Sequence, residues 1–145
     1  MAYSQIDLQT SDFDIFLFDL KKAVHLASGG GNLPTPLYET DRHNESVSAA
    51  LNNFEGEFDI EINPTELSAG SDLSSFIAFA KKGFYTYDKT FPGNFEDTTF
   101  HLVAKPKQPF TNQYIFEKYS IERSILSTKT IIPENFEPFN LKDFL

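Results

Sequence analysis

The chain has 145 residues, a formal net charge of −9, sixteen Phe, six Tyr, no Trp and no Cys. That length suits a single domain spanning 1–145, able to bury about two thirds of its unfolded surface. The lack of Cys excludes disulfides, thiolate nucleophiles and cysteine–zinc sites, and the acidic balance argues against direct contact with a nucleic-acid backbone.

Residues 1–12 carry neither a basic leader region nor an apolar core. The apolar run Ile15 to Phe18, flanked by Asp14 and Asp19, is too short to span a membrane. A soluble cytosolic protein without a membrane partner is expected.

Ser11 to Ala27 reads as a helix. Phe13, Phe16, Leu17, Leu20, Val24 and Ala27 follow a helical stripe, Ser11 can cap it, and Gly29-Gly30-Gly31 can end it. A buried strand over 13–18 is the alternative. Residues 29–44 read as a loop, interrupted by Pro34 and Pro36. Asn44 then caps a short helix with Val47, Ala50, Leu51 and Phe54 on one face.

Residues 55–62 alternate strictly between acid and apolar after Gly56, the pattern of a strand. One face carries Glu55, Glu57, Asp59 and Glu61; the other carries Phe58, Ile60 and Ile62. Successive acids on such a face stand roughly 7 Å apart, inside a Debye length of about 8 Å, so they repel unless cations intervene. The strand stops at Asn63-Pro64.

A third helix is predicted from Asp72 to Lys82, capped by Ser71 and ended by Gly83. Phe84 to Lys89 and Phe100 to Ala104 read as strands, and Thr128 to Ile132 as a short one. Over Tyr114 to Ile125, Ile115, Tyr119, Ile121 and Ile125 fit a strand face better than a helical stripe. The expected fold is α+β: a mainly antiparallel sheet of about five strands, with two or three helices packed on one face.

Asn-Phe-Glu occurs at 53–55, 94–96 and 135–137, at a constant spacing of 41 residues. Such spacing can mark a duplicated unit, which would make the strands beginning at Phe58 and Phe100 equivalent.

No motif names a reaction, and no cofactor is expected. Gly29-Gly30-Gly31 lacks the Lys-Ser or Lys-Thr of a phosphate loop. His25 falls on the polar stripe of the first helix, and His101 faces away from Phe100 and Leu102. Glu39, Asp41 and His43, in the loop 38–44, are the one local set of groups suited to acid–base or metal chemistry, with His101 a further candidate.

The charge is uneven. Residues 1–80 hold three basic and thirteen acidic side chains, whereas 81–145 hold nine and eight. An acidic half and a one-sided acid strand favour a basic protein partner, met at Glu55, Glu57, Asp59 and Glu61. The first expectation is therefore a small acidic interaction protein that binds and blocks such a partner, as an immunity protein or inhibitor does. A metal-dependent hydrolase or nuclease-like enzyme using Glu39, Asp41 and His43 is the alternative, and an oligomeric structural subunit the second. The tail 133–145 is too aromatic for a disordered segment. Phe136, Phe139, Leu141 and Phe144 are expected to dock on this domain or on a second copy, giving a homodimer.

Overall fold

The computed structural model describes residues 2–121, 128 and 130–145. Ser4 opens the first helix, α1 (Gln5–Thr10): its hydroxyl accepts from the Asp7 N–H, and the Asp7 carboxylate accepts from the Ser4 N–H. Two strands follow, β1 (Asp14–Phe18) and β2 (Ala23–Ala27), paired antiparallel. This hairpin replaces the helix expected over Ser11 to Ala27. Both faces of both strands are covered, so period-two alternation is absent and the apolar residues imitate a helical stripe.

The turn between them is closed by Asp19, whose carboxylate accepts the N–H groups of Lys21 and Lys22 at 2.7 and 2.8 Å. The same carboxylate pairs with the buried Lys22 ammonium and accepts the Ile132 N–H at 3.0 Å. One anion thus ties the first hairpin to the start of the tail.

After a loop, α2 (Asp41–Leu51) begins three residues before the expected cap. Asn44 is buried inside it and has a different duty. Its amide oxygen accepts the Phe16 N–H at 2.8 Å, and its amide nitrogen donates to Tyr3 and Thr40. It thereby satisfies a backbone donor on the open edge of β1.

The remaining elements are β3 (Ile60–Ile62), α3 (Pro64–Ala69), α4 (Ser74–Ala80), β4 (Tyr85–Lys89), β5 (Thr99–Pro106), α5 (Asn112–Tyr119) and β6 (Phe139–Asn140). The strand order is β1-β2-β4-β5-β3, with β6 also paired to β5. The architecture is α+β, but the sheet is mixed: β2 and β4 run parallel, with Val24 opposite Tyr85, and the other pairs are antiparallel.

Helix α5 corrects the strand expected over Tyr114 to Ile125. Thr111 caps it, Ser120 ends it in the left-handed conformation, and burial falls on Ile115 and Tyr119, one helical turn apart. Residues 122–127 lie outside the described residues. So does Lys129, and the described part of 128–132 forms no strand.

The apolar residues form two clusters, one on each side of the sheet. Phe16, Phe18 and Ala23 meet Val47 and Leu51 of α2, Phe79 of α4, and Ile115 and Tyr119 of α5. Ile15, Leu17, Val24 and Leu26, with Tyr87, Phe100 and Leu102, meet Leu8 of α1, Leu33, Leu37 and the tail residues Ile132 and Leu141. Three helices therefore cover one face, and a helix, a loop and the tail cover the other. Among the described residues no helix is long and apolar enough to cross a membrane.

The three Asn-Phe-Glu segments fall in unlike places: after α2, in the turn between β4 and β5, and in the tail. Phe54 is 39% exposed, while Phe95 and Phe136 pack against the second cluster. The segments starting at Phe58 and Phe100 are not equivalent either. Within them, β3 and β5 are antiparallel neighbours, with Ile62 opposite Ala104.

Candidate functional site

The acidic segment keeps its alternation but not its expected length as a strand. Glu55, Glu57, Asp59 and Glu61 are exposed, and the intervening residues turn partly inward. Only Ile60–Ile62 joins the sheet, because the pairing reaches Pro106 opposite Ile60 and proline has no N–H to extend it.

Residues 55–59 are held by other contacts. The N–H groups of Glu57 and Phe58 donate to the Lys81 carbonyl at 2.9 and 3.0 Å, and Lys107 N–H donates to the Asp59 carbonyl at 2.9 Å. Gly56 permits this approach, since a Cβ there would collide with Lys81.

Two of the four acids have cations of their own. Glu57 pairs with Lys118 of α5 at 2.6 Å, which holds the ammonium pKa above its ordinary value. Glu61 faces Lys105 across the β3–β5 pair at a looser 4.0 Å. Among the described residues, Glu55 and Asp59 make no ion pair.

Beside these acids lies an aromatic patch. Phe58 and Phe110 have ring centroids 4.2 Å apart, Phe110 stacks on Tyr114 at 5.3 Å, and Phe54 meets Tyr119 edge-on at 5.0 Å. The Lys118 ammonium stands 5.5 Å from the Phe58 ring and 5.8 Å from that of Tyr119. A cavity of about 290 Å³ opens next to it, lined by Glu57, Phe58, Asp59, Lys107, Gln108 and Phe110.

The tail lies along its own chain. Residues Phe139 and Asn140 pair with Phe100 and Thr99, and Leu141 is fully buried. Phe139 contacts Tyr87 and Phe144 edge-on, both at 5.6 Å, and Lys105 stands over the Phe136 ring at 5.4 Å.

The three loop candidates do not all lie in a loop. Asp41 and His43 belong to α2, where residues two apart point in different directions, and Glu39 is exposed before it. Among the described residues, no three His, Asp or Glu side chains lie where they could hold a metal ion. His101 joins a different group. Its Nε2 meets Glu66 Oε1 at 2.5 Å and its Nδ1 meets Thr90 Oγ1 at 2.8 Å.

The fold explains this convergence. Asp88 lies opposite His101 in the β4–β5 pair, so Thr90, two residues on, shares the histidine's face. Asn63 caps α3 by accepting the Thr65 N–H, and its own amide and backbone N–H donate to the Leu102 and Val103 carbonyls of β5. Pro64 occupies the first helical position and Glu66 the third, which brings the carboxylate over His101. Burial pushes the neighbouring Asp88 carboxyl up to about 6.

His25 also departs from expectation. It is buried in β2, hydrogen-bonded to Asp14 at 2.8 Å, with its ring 4.3 Å from that of Phe79. Comparison of the chain with protein-family models, with curated proteins and with solved structures returns no match.

Proposed function

We propose that the chain is a small acidic interaction protein, working in the cytosol, that binds and blocks a basic protein partner through Glu55, Glu57, Asp59 and the adjoining rings. The observation that carries the reading is Lys118. The chain's own ammonium lies 2.6 Å from the Glu57 carboxylate and within 6 Å of two aromatic rings, an arrangement suited to a Lys or Arg head group. Asp59 lines the same cavity as Phe58 without an ion-pair partner among the described residues, and Glu55 adds charge along the strip. Long-range attraction from a −9 chain accelerates encounter, and the local carboxylate–ring pairs fix the register.

The double variant Glu55→Lys/Asp59→Lys tests this without touching a buried group. Titration with Lys- and Arg-rich peptides should show affinity that falls steeply with salt and drops at least tenfold in the variant. Salt-independent binding, or equal affinity for both proteins, refutes the surface.

A further inference from the structure

We propose that Thr90, His101 and Glu66 form a hydrolytic site for small uncharged or cationic esters, with Thr90 the nucleophile, His101 the general base and Glu66 its positioning residue. The three are joined in one chain of hydrogen bonds, 2.8 Å from Thr90 Oγ1 to Nδ1 and 2.5 Å from Nε2 to Glu66 Oε1. Direction follows from donor chemistry. An ionised carboxylate only accepts, so Glu66 requires the proton on Nε2. The neutral ring then offers a lone pair at Nδ1, and the Thr90 hydroxyl must donate to it. A hydroxyl aimed at an imidazole that is itself oriented by a carboxylate is the arrangement that activates an alcohol for attack.

The group does not sit on a flat surface. It opens into a cavity of about 360 Å³ beside α3, walled by Asn63, Thr65, Phe136 and Pro138. His101 and Glu66 side chains are only 13% and 15% exposed, so their hydrogen bonds are partly shielded from water. Among the described residues, three carboxylates stand close to the imidazole or line its cavity, Glu66 from α3, Asp88 from β4 and Glu137 from the tail, while the Lys105 ammonium stands over the Phe136 ring on the cavity wall. That environment repels carboxylate and phosphate substrates and admits neutral or positively charged ones. Thr65 also lines the cavity.

The reaction balances with an ester and water alone. Thr90 Oγ bonds to the carbonyl carbon as its proton moves to His101 Nδ1, and the carbonyl π pair shifts to oxygen. Collapse breaks the ester C–O bond, and the leaving alkoxide takes the proton from His101. Water then attacks the Thr90 acyl ester by the same route, releasing the carboxylic acid and restoring the hydroxyl.

The full chain should be assayed with p-nitrophenyl acetate and acetylcholine, measuring turnover against pH and the mass of the peptide containing Thr90 after acid quench. Thr90→Val should lower turnover of both esters by about 100-fold or more, and Thr90→Ser should retain it. Glu66→Gln should reduce turnover at least tenfold and shift the acidic limb of the pH–rate profile, which a merely structural contact would not do. An acetyl group on the Thr90 peptide should appear in the wild type alone among wild type, Thr90→Val and His101→Ala. Wild-type turnover equal to that of Thr90→Val, with Thr90→Val shown folded by its unfolding midpoint, overturns the site. If Thr90→Val does not fold, unchanged turnover and pH profile in Glu66→Gln overturn it instead.

Discussion

Replacing Asp19 with Asn tests whether the buried anion holds the first hairpin to the tail. Asp19 is 2% exposed and Lys22 also 2%. The carboxylate receives three backbone N–H groups and the Lys22 ammonium, which donates in turn to the Ile132 carbonyl at 2.6 Å. An Asn of the same shape can keep the two turn N–H groups on its oxygen. Its amide nitrogen then faces two donors, the Ile132 N–H and the ammonium. Removing one partner of a buried pair costs about 3–5 kcal/mol, and an unsatisfied buried N–H about 1–3 kcal/mol. The remaining Ile132 carbonyl, and Glu134 at 3.9 Å, still serve Lys22. The expected net loss is therefore about 4 kcal/mol, a large share of a domain stability of about 5–15 kcal/mol. Urea unfolding followed by far-ultraviolet circular dichroism measures it. Lys22→Met should also destabilise, and the double variant should lose at least about 2 kcal/mol less than the two single losses combined. A loss below about 1 kcal/mol in Asp19→Asn, or strict additivity, would refute the reasoning.

Two further outcomes follow from the geometry. Asp88, raised by burial from 3.8 to about 6, binds its proton more tightly in the folded than in the unfolded chain. Its contribution to stability therefore falls as pH rises between about 4 and 6. Asp88→Asn, which keeps the Lys89 N–H bond, should gain about 1–2 kcal/mol at pH 7.5 after allowance for solvent screening and almost nothing at pH 4. Equal gains at both pH values would contradict it. Leu141→Ala, at a fully buried position, should cost about 2–5 kcal/mol in urea unfolding. The wild-type midpoint should be independent of protein concentration if the tail docks on its own chain, whereas a swapped dimer would show a dependence.

The acid alternation at 55–62 was legible because one side faces solvent, and period two survives wherever burial is one-sided. In β1 and β2 both sides are buried, so Ile15 and Phe16, or Val24 and His25, carry no such contrast. The Asp19 turn that separates them looks locally like a polar interruption of a helix face. In α5, the spacing of Ile115, Tyr119, Ile121 and Ile125 suggests one strand face, while the cap at Thr111 sets the outcome.

The His101 group was half legible. Asn63-Pro64 followed by Glu66 carries a cap, a first-turn proline and an early acid, a helix start that also reads as a strand end. Its proximity to a histidine 35 residues on comes from the β3–β5 pairing, which no local pattern reports.

The parallel seam between β2 and β4 shapes how this chain acquires its form. The hairpins β1–β2 and β4–β5 are each local, but joining them closes a loop of about 60 residues, an entropic cost of about 4 kcal/mol by polymer scaling. This non-local pairing, whose closure entropy is lost before its contacts form, is the feature of the topology that slows refolding most.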